Sequence, residues 1–486
     1  MAATEIELCS DYARTMSPVR AVERRLAIWL FVASASVMLV LHNGGLSGLD
    51  GETYYQAARS FVDQGRLDVG PGFNSTTGVG GREYAKSNLG LPLLAGLIYF
   101  LSAPLGRMSP EHAYFIRTAL VGASMTFVSA AIISAVYLLA RRLGALPSSA
   151  LIVGIGAVAG TFLLPYSKEF FPEPLSALGF VIAAERALAG RPTAAGAGLA
   201  LAVLARPQSL LLVPVFLLVI FSREGIGAAV RAAGPLGASV VLTAAYNVAR
   251  FGDPLMFGYP DEGFTMPLLD GARILLLDPS KSLLLFAPIA ALFPSGFVRL
   301  WHKDRFALVL IASSFVATFV VAAVWHNPNG GWCWGPRLLI PGVVPSIAAL
   351  GPWVDKPRNR RLAIGLFVLG FAVSVPAMVI STQIQQLDVP PPAGGVWLAD
   401  AGLPTIVRQA EIVPQTIRYT FRHLYERNED GRNYLRYLTF WQFGLARVFG
   451  RSGLLAAMAV SVVLILIAAW AATRCRLTYG ALGRHN

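Results

Sequence analysis

Long apolar segments separated by short basic loops restrict the fold of this chain most strongly. Hydrophobic residues make up 55% of the 486 residues and charged residues only 14%, which is far more apolar than a soluble globular chain. About twenty apolar residues are needed to cross a bilayer. The sequence therefore predicts an all-α polytopic membrane protein with about twelve transmembrane helices, near residues 26–41, 116–140, 150–165, 174–189, 194–205, 207–221, 226–246, 282–300, 306–325, 338–353, 362–380 and 453–472.

One further apolar run, residues 89–105, decides the topology. If it crossed the membrane, Arg141, Arg142 and the later basic loops would face outside, against the preference of Lys and Arg for the cytoplasmic side. We therefore expect an external interfacial helix at 89–105, with both termini in the cytoplasm. The net charge of +13 then reflects membrane topology, and we expect no binding to nucleic acid.

The predicted organisation has three parts. Residues 1–380 form a transmembrane catalytic core whose first external loop is 42–112, and residues 381–451 form an external amphipathic segment. Residues 452–486 form the last transmembrane helix and a cytoplasmic tail. The three cysteines match neither a metal-binding spacing nor a disulfide framework.

The stretch Leu49-Asp50-Gly51-Glu52-Thr53-Tyr54-Tyr55 follows the first span and opens the first external loop. An acidic pair at the end of a membrane span is costly to keep unless it is used. Asp50 could accept a proton from an acceptor hydroxyl. A helix cap followed by interfacial aromatic side chains would explain the same residues equally well, so the local pattern leaves both readings open.

Several external cations could bind a phosphate. Lys86 stands just before the interfacial run, at the level of lipid headgroups, and the uncharged Tyr84 lies two residues before it. Arg206 lies between two apolar runs, where an arginine needs a partner, and Arg337 ends a loop shaped by Gly and Pro. The alternative for such residues is snorkelling toward phospholipids, which is common.

Acids and aromatic side chains complete the external candidates. Glu173 opens an external helix end, where an acid is also favoured by the helix dipole alone. Together with Asp50 it could hold a divalent cation such as Mg²⁺ or Mn²⁺ through oxygen ligands. The residues that could line a substrate cavity are Glu52, Tyr54, Tyr55, Trp332, Trp334, His326 and Tyr259. No Walker A motif, dinucleotide fingerprint or nucleophile elbow occurs in the sequence, so we expect no nucleotide.

Five stretches in this order resemble the glycosyltransferase C superfamily, the multispanning enzymes that use polyprenyl-phosphate sugars and include protein O-mannosyltransferases and lipid A aminoarabinose transferases. They are D-G-E-T-Y-Y at 50–55, R-E-Y-A-K at 82–86, P-E-P at 172–174, A-R-P at 205–207, and Y-N-V-A-R-F-G-D-P at 246–254 with G-W-C-W-G-P-R at 331–337. The resemblance covers about residues 26–345. The sequence after residue 345 contains no match that identifies the acceptor.

The resemblance implies specific roles for these residues. Asp50 would be the catalytic base, and Lys86 would hold the donor phosphate with Tyr84 beside it. Glu173 matches the second external acid of the family, which is implicated with a divalent metal, while Arg206 and Arg337 map as phosphate contacts. Gly51 separates two acids that are commonly adjacent in the family, so the resemblance assigns no role to Glu52.

The sequence therefore predicts an inverting glycosyltransferase in the bacterial inner membrane, with its active site on the periplasmic side. The donor would be a polyprenyl-phosphate sugar, and the acceptor a lipid, a glycan or a protein. A transporter or flippase of a lipid-linked sugar is the main alternative, although it predicts charges near the membrane midplane. Arg206 is the residue that most favours that alternative, and a non-catalytic scaffold would leave the ordered motifs unexplained.

Overall fold

The computed structural model describes residues 2–46, 48–260, 262–331, 333–382, 405–425 and 437–482. These residues form α-helices almost throughout, which confirms the predicted all-α class. The first half contains α1 (Ala2–Val40), α2 (Leu49–Gln64), α3 (Gly90–Leu101), α4 (Ala103–Met108), α5 (Ala113–Arg142), α6 (Pro147–Ala159), α7 (Pro172–Leu188), α8 (Pro192–Ala205), α9 (Val213–Glu224) and α10 (Ile226–Phe251).

The second half continues with shorter and more interrupted helices. Its last helix changes direction at Gly450, whose backbone angles (φ 66°, ψ −146°) are not helical. The helices are α11 (Leu268–Leu277), α12 (Leu283–Phe286), α13 (Phe293–Lys303), α14 (Arg305–Val324), α15 (Ile340–Ala349), α16 (Gly351–Val354), α17 (Pro357–Val379), α18 (Thr405–Arg422) and α19 (Trp441–Leu482).

Six helical stretches within the described residues are long and apolar enough to cross a membrane. They are Pro110–Arg142, Pro207–Glu224, Ile226–Phe251, Arg305–Val324, Pro357–Val379 and Trp441–Ala481. Other predicted spans coincide with shorter apolar helices, such as α6 and α8. The expected count of about twelve spans therefore stays a prediction.

The predicted first external loop contains more regular structure than the sequence indicated. Asp50 begins a helix, α2, and the polar residues after it form a small antiparallel hairpin of β1 (Ser75–Thr77) and β2 (Glu83–Ala85). The run at 89–105, which the sequence predicts to be interfacial, forms α3 and α4, which meet at Ser102. The hairpin therefore holds Lys86 directly before α3.

Small residues allow α7 and α8 to pack closely. A Cβ atom on Gly198 would lie 2.7 Å from the Ala183 backbone nitrogen, and one on Gly179 would lie 2.7 Å from the Gly198 carbonyl oxygen. Close backbone approach of this kind is typical of helices packed in membranes. Because α7 and α8 are antiparallel neighbours, the beginning of α7 and the end of α8 lie together.

Residues predicted to share one side of the membrane also meet in the structure. Arg142 contacts Glu185 at 3.0 Å, and the Lys303 ammonium donates to the Leu143 carbonyl at 3.0 Å. All of these residues belong to loops or helix ends that the charge pattern assigned to the cytoplasm. At the opposite end of α7, Glu173 lies 3.3 Å from Arg206, which follows α8.

Candidate active site

Asp50 lies in the first turn of α2, where the helix dipole stabilises a carboxylate. The backbone turns at Gly48, just before α2, where a φ of 89° suits glycine. The Asn74 side-chain amide donates to Asp50 Oδ1 at 2.8 Å, and Arg337 Nη1 donates to Asp50 Oδ2 at 3.2 Å. The carboxylate thus has a partner on each oxygen and still keeps a side-chain exposure of 21%.

Arg337 connects the two acids that the sequence singled out. Its Nε atom lies 3.8 Å from Glu173 Oε1, while its Nη1 atom contacts Asp50. Arg206 Nη1 lies 3.3 Å from the same Glu173 oxygen. Since Glu173 begins α7 and Arg206 follows α8, the close packing of these two helices brings the acid and the arginine together. Asp50, Glu173, Arg206 and Arg337 therefore form one cluster.

Glu173 is fully buried, with a side-chain exposure of 0%. Within the described residues, neither Glu173 oxygen accepts a hydrogen bond, and Arg337 Nε donates none. A buried carboxylate without a good hydrogen bond is costly. The cluster is therefore held by charge attraction at distances that a bound group could shorten or replace.

Lys86 is joined to this cluster through Asn74. The Lys86 backbone N–H donates to the Asn74 carbonyl at 2.9 Å. The Lys86 ammonium donates to Glu262 Oε1 at 2.7 Å, and it lies 5.9 Å from the centre of the Tyr259 ring. The second Glu262 oxygen is 3.0 Å from His326 Nε2. The residue that holds Asp50 in place thus also supports the segment that carries Lys86.

Arg337 occupies the position where the sequence predicts a divalent cation, between Asp50 and Glu173. Arg337 contacts both carboxylates, so a guanidinium stands between the two proposed ligands. Among the described residues no three His, Cys, Asp or Glu side chains group together in a way that could hold a metal ion. The site instead offers cations, which suit an anionic ligand.

Tyr54 and Tyr259 lie within the electrostatic reach of the cluster. Burial, reinforced by the charges of Asp50 and Glu173, raises the pKa of Tyr54 well above its ordinary value. Burial also raises the pKa of Tyr259 to about 12, with Asp50 and Glu262 adding to the effect. Both hydroxyls therefore stay protonated at neutral pH and remain able to donate a hydrogen bond.

Other candidate residues lie further from Asp50. Glu52 accepts a hydrogen bond from Tyr114 at 2.7 Å, and burial raises its pKa. Tyr55 packs edge-on against Tyr99 and Tyr114. Because positions two residues apart on a helix do not face each other, Glu52 and Asp50 point in different directions.

The remaining aromatic candidates have structural contacts. Tyr84 is buried, donates to the Val79 carbonyl at 3.1 Å and packs edge-on against Phe251. Trp334 is fully buried and packs edge-on against Phe286. Trp332 lies outside the described residues.

Sequence reasoning missed Asn74 and Glu262 as parts of the site. Asn74 lies in the polar first loop, and Glu262 lies in a polar connector after the predicted span at 226–246. Their contacts join positions 24 and 176 residues apart. No local pattern in one sequence signals such pairs.

No protein-family model matches this chain, and no curated protein matches it either. Among solved structures, the chain is similar to ArnT from Cupriavidus metallidurans in the apo state, with 16% identity, a TM-score of 0.49, and coverage of 93% of this chain and 77% of that one. The same protein bound to undecaprenyl phosphate gives 14% identity, a TM-score of 0.48, and coverage of 95% and 76%.

A second similar structure is the archaeal oligosaccharyltransferase AglB from Archaeoglobus fulgidus in complex with an inhibitory peptide and a dolichol-phosphate. Here the identity is 15%, the TM-score 0.44, and the coverage 72% of this chain and 56% of that one. Because every TM-score is below 0.5, we base the function on this chain's own residues.

Proposed function

We propose that this chain is an integral membrane glycosyltransferase of the glycosyltransferase C type. It moves a sugar from a polyprenyl-phosphate donor to a lipid, glycan or protein acceptor, with inversion at the anomeric carbon. The observation that carries this proposal is Arg337, whose guanidinium contacts both Asp50 and Glu173. A carboxylate able to take a proton thus stands beside cations able to bind a phosphate.

Asp50 acts as the general base. A carboxylate whose two oxygens are each held by one partner is fixed in orientation, and it keeps further lone pairs for an acceptor hydroxyl. Asn74 and Arg337 supply those partners. The acceptor oxygen attacks the anomeric carbon while its proton passes to Asp50.

The cations stabilise the leaving group. As the new bond from the acceptor oxygen to the anomeric carbon forms, the bond from that carbon to the phosphate oxygen breaks. Polyprenyl phosphate then leaves with one additional negative charge. Lys86, Arg206 and Arg337 are the residues that would stabilise that charge, and electrostatic stabilisation of this kind is usually the largest single contribution to catalysis.

A divalent cation at Glu173 and Asp50 stays a prediction from the sequence. The contacts of Arg337 with both carboxylates favour a site that works through its arginines, so the mechanism includes no step that depends on a metal.

The charge pattern supports a multi-pass protein of the bacterial inner membrane, with the site facing the periplasm.

Arg206 is the residue that gave a transporter its best support from sequence. Its ion pair with Glu173 at 3.3 Å joins it to the cluster around Arg337. This position supports a role in one external site instead of a charge alone near the midplane. The transfer experiment described next distinguishes a glycosyltransferase from a transporter.

The proposal is tested by incubating purified protein with polyprenyl-phosphate sugars extracted from membranes, together with lipid and glycan acceptors. We expect a new glycosidic bond with the parent and none with Asp50→Asn. Asp63→Asn is a matched control, because Asp63 lies on the same helix and bonds to Tyr99, away from Asn74 and Arg337. Unchanged transfer in Asp50→Asn would show that the base is misassigned, and no product with any form would favour the transporter.

A further inference from the structure

Lys86 is held in place by its backbone. Its N–H donates to the Asn74 carbonyl at 2.9 Å, and its carbonyl accepts a hydrogen bond from the Tyr259 hydroxyl at 3.1 Å. The preceding carbonyl, that of Ala85, accepts a hydrogen bond from the buried Arg250 at 2.7 Å. Because the backbone is fixed, the Lys86 ammonium can move only as far as its own side chain allows.

An acid of the same chain occupies that space. Glu262 Oε1 lies 2.7 Å from the Lys86 ammonium, and the two side chains have exposures of 25% and 22%. Glu262 lies on the irregular connector between α10 and α11, so its position depends less on a helix than that of Asp50 or Glu173. The cation assigned to the donor phosphate is thus already neutralised by an anion.

Glu262 also has a second partner that would remain after it left Lys86. Its other oxygen lies 3.0 Å from His326 Nε2, on the segment that leads to Arg337. A carboxylate with an alternative hydrogen bond loses less on displacement than one with a single partner. The geometry suits an exchange of one anion for another at Lys86.

We propose that Glu262 is an intramolecular substitute for the donor phosphate, which occupies the Lys86 ammonium until a polyprenyl phosphate displaces it. This inference rests on the proposed function, because it needs Lys86 to bind that phosphate. Two anions close to one ammonium repel each other, so phosphate binding must overcome the Lys86–Glu262 pair. The competition lowers the affinity for the donor and for polyprenyl phosphate product alike, which favours product release.

The test measures binding of undecaprenyl monophosphate to the full chain in nanodiscs. Glu262→Gln should bind it about three- to tenfold more tightly than the parent, as expected for loss of a partly buried competing ion pair. Glu83→Gln is a matched control in the hairpin that carries Lys86, because Glu83 bonds to Ser75 and Thr77 instead. Glu262→Ala provides a second form without the carboxylate and should show the same gain.

Two further variants separate this inference from the proposed function. Lys86→Gln should bind undecaprenyl monophosphate more weakly than the parent, and the double variant Lys86→Gln with Glu262→Gln should match Lys86→Gln alone. If Lys86→Gln loses affinity while Glu262→Gln shows no gain, the role of Glu262 is wrong and the donor site stands. If Lys86→Gln binds as tightly as the parent, the donor site itself is wrong.

Discussion

Arg337 Nη1 lies 3.2 Å from Asp50 Oδ2, although 287 residues separate the two positions in the sequence. The contact joins the beginning of α2 to the short 3-10 segment Arg337–Leu339 before α15. Because the same guanidinium also lies 3.8 Å from the buried Glu173, one side chain positions both acids. Its planar shape, which presents several donors at once, suits that task.

Arg337→Lys keeps the charge but should reduce transfer at least about tenfold, because an ammonium acts as one point charge and cannot contact both acids in the same way. Steady-state kinetics with polyprenyl-phosphate sugar would measure this. Arg360→Lys is the control, since Arg360 contacts Ser148 at the opposite end of the bundle. Full activity in Arg337→Lys would mean that the charge alone is sufficient.

Asn74→Ala should lower kcat about tenfold with a smaller change in KM, because a hydrogen bond to a charged group contributes roughly 1.5–3 kcal/mol. The substitution removes the amide that donates to Asp50 but leaves the Asn74 carbonyl, which accepts from the Lys86 N–H. Donor binding should therefore persist. An equal rise in KM with no change in kcat would assign Asn74 to binding instead.

A control for this substitution is Asn359→Ala. The Asn359 amide donates to the Trp353 carbonyl at 2.9 Å, near the end of the bundle that the charge pattern assigns to the cytoplasm. It should leave both kinetic constants close to those of the parent. A comparable loss in this form would point to a general effect on folding.

Much of the site was predictable because its residues carry local signals. Asp50, Lys86 and Arg337 each stand at the boundary of an apolar segment, where a charged side chain is energetically costly and indicates a functional site. The structure brings Asp50 and Arg337 together with Glu173 and Arg206, and it joins the Lys86 backbone to Asn74, the partner of Asp50. Hydropathy alone also gave the helical class.

The partners of these residues were not predictable in the same way. Asn74 and Glu262 occur in polar loops where such residues are common, and their importance comes from contacts distant in sequence. The helical start of α2 was open as well, since a cap and a catalytic acid use the same residue types. Likewise, Tyr55 and Trp334 are buried in contacts with other aromatic rings, which aromatic composition does not reveal.

Gly198→Ala should destabilise the chain and reduce transfer. A Cβ atom there would lie 2.7 Å from the Ala183 nitrogen and 2.8 Å from the Gly179 oxygen, and overpacking of this kind costs about 1–3 kcal/mol. Separation of α7 from α8 would also part Glu173 from Arg206. Thermal unfolding and transfer rate would measure the two effects.

Gly237→Ala is the matched control for that helix contact. Nothing lies within 4 Å of a Cβ atom at Gly237, so the higher helix propensity of alanine should leave stability unchanged or raise it by up to about 1 kcal/mol. Equal melting temperatures for the two variants would show that the α7–α8 contact tolerates expansion.

Lys168 should make stability depend on pH. Its ammonium is buried between the Met378 carbonyl, at 2.7 Å, and the Thr439 hydroxyl. Burial lowers the pKa of Lys168 from its usual 10.5 to about 7, although the neighbouring Glu169 opposes the shift. Between these pH values the unfolded chain binds more protons, so stability should rise as pH increases from about 7 to 10.

Thermal unfolding in detergent across that range, compared with Lys168→Met, provides the measurement. The variant should lose the rise, because it has no ammonium to deprotonate. The other titratable neighbours, His42 and Glu169, are present in both forms. The same slope in parent and variant would show that Lys168 does not titrate in this window.

The most direct test of the central claim separates donor binding from turnover in Asp50→Asn. Single-turnover transfer from a polyprenyl-phosphate sugar should fall at least about a hundredfold, since general-base catalysis contributes roughly 10²–10⁴ in rate. Binding of undecaprenyl monophosphate to the same variant should stay within about threefold of the parent, because Lys86 and Arg206 remain. Transfer at the parental rate in Asp50→Asn would contradict the account.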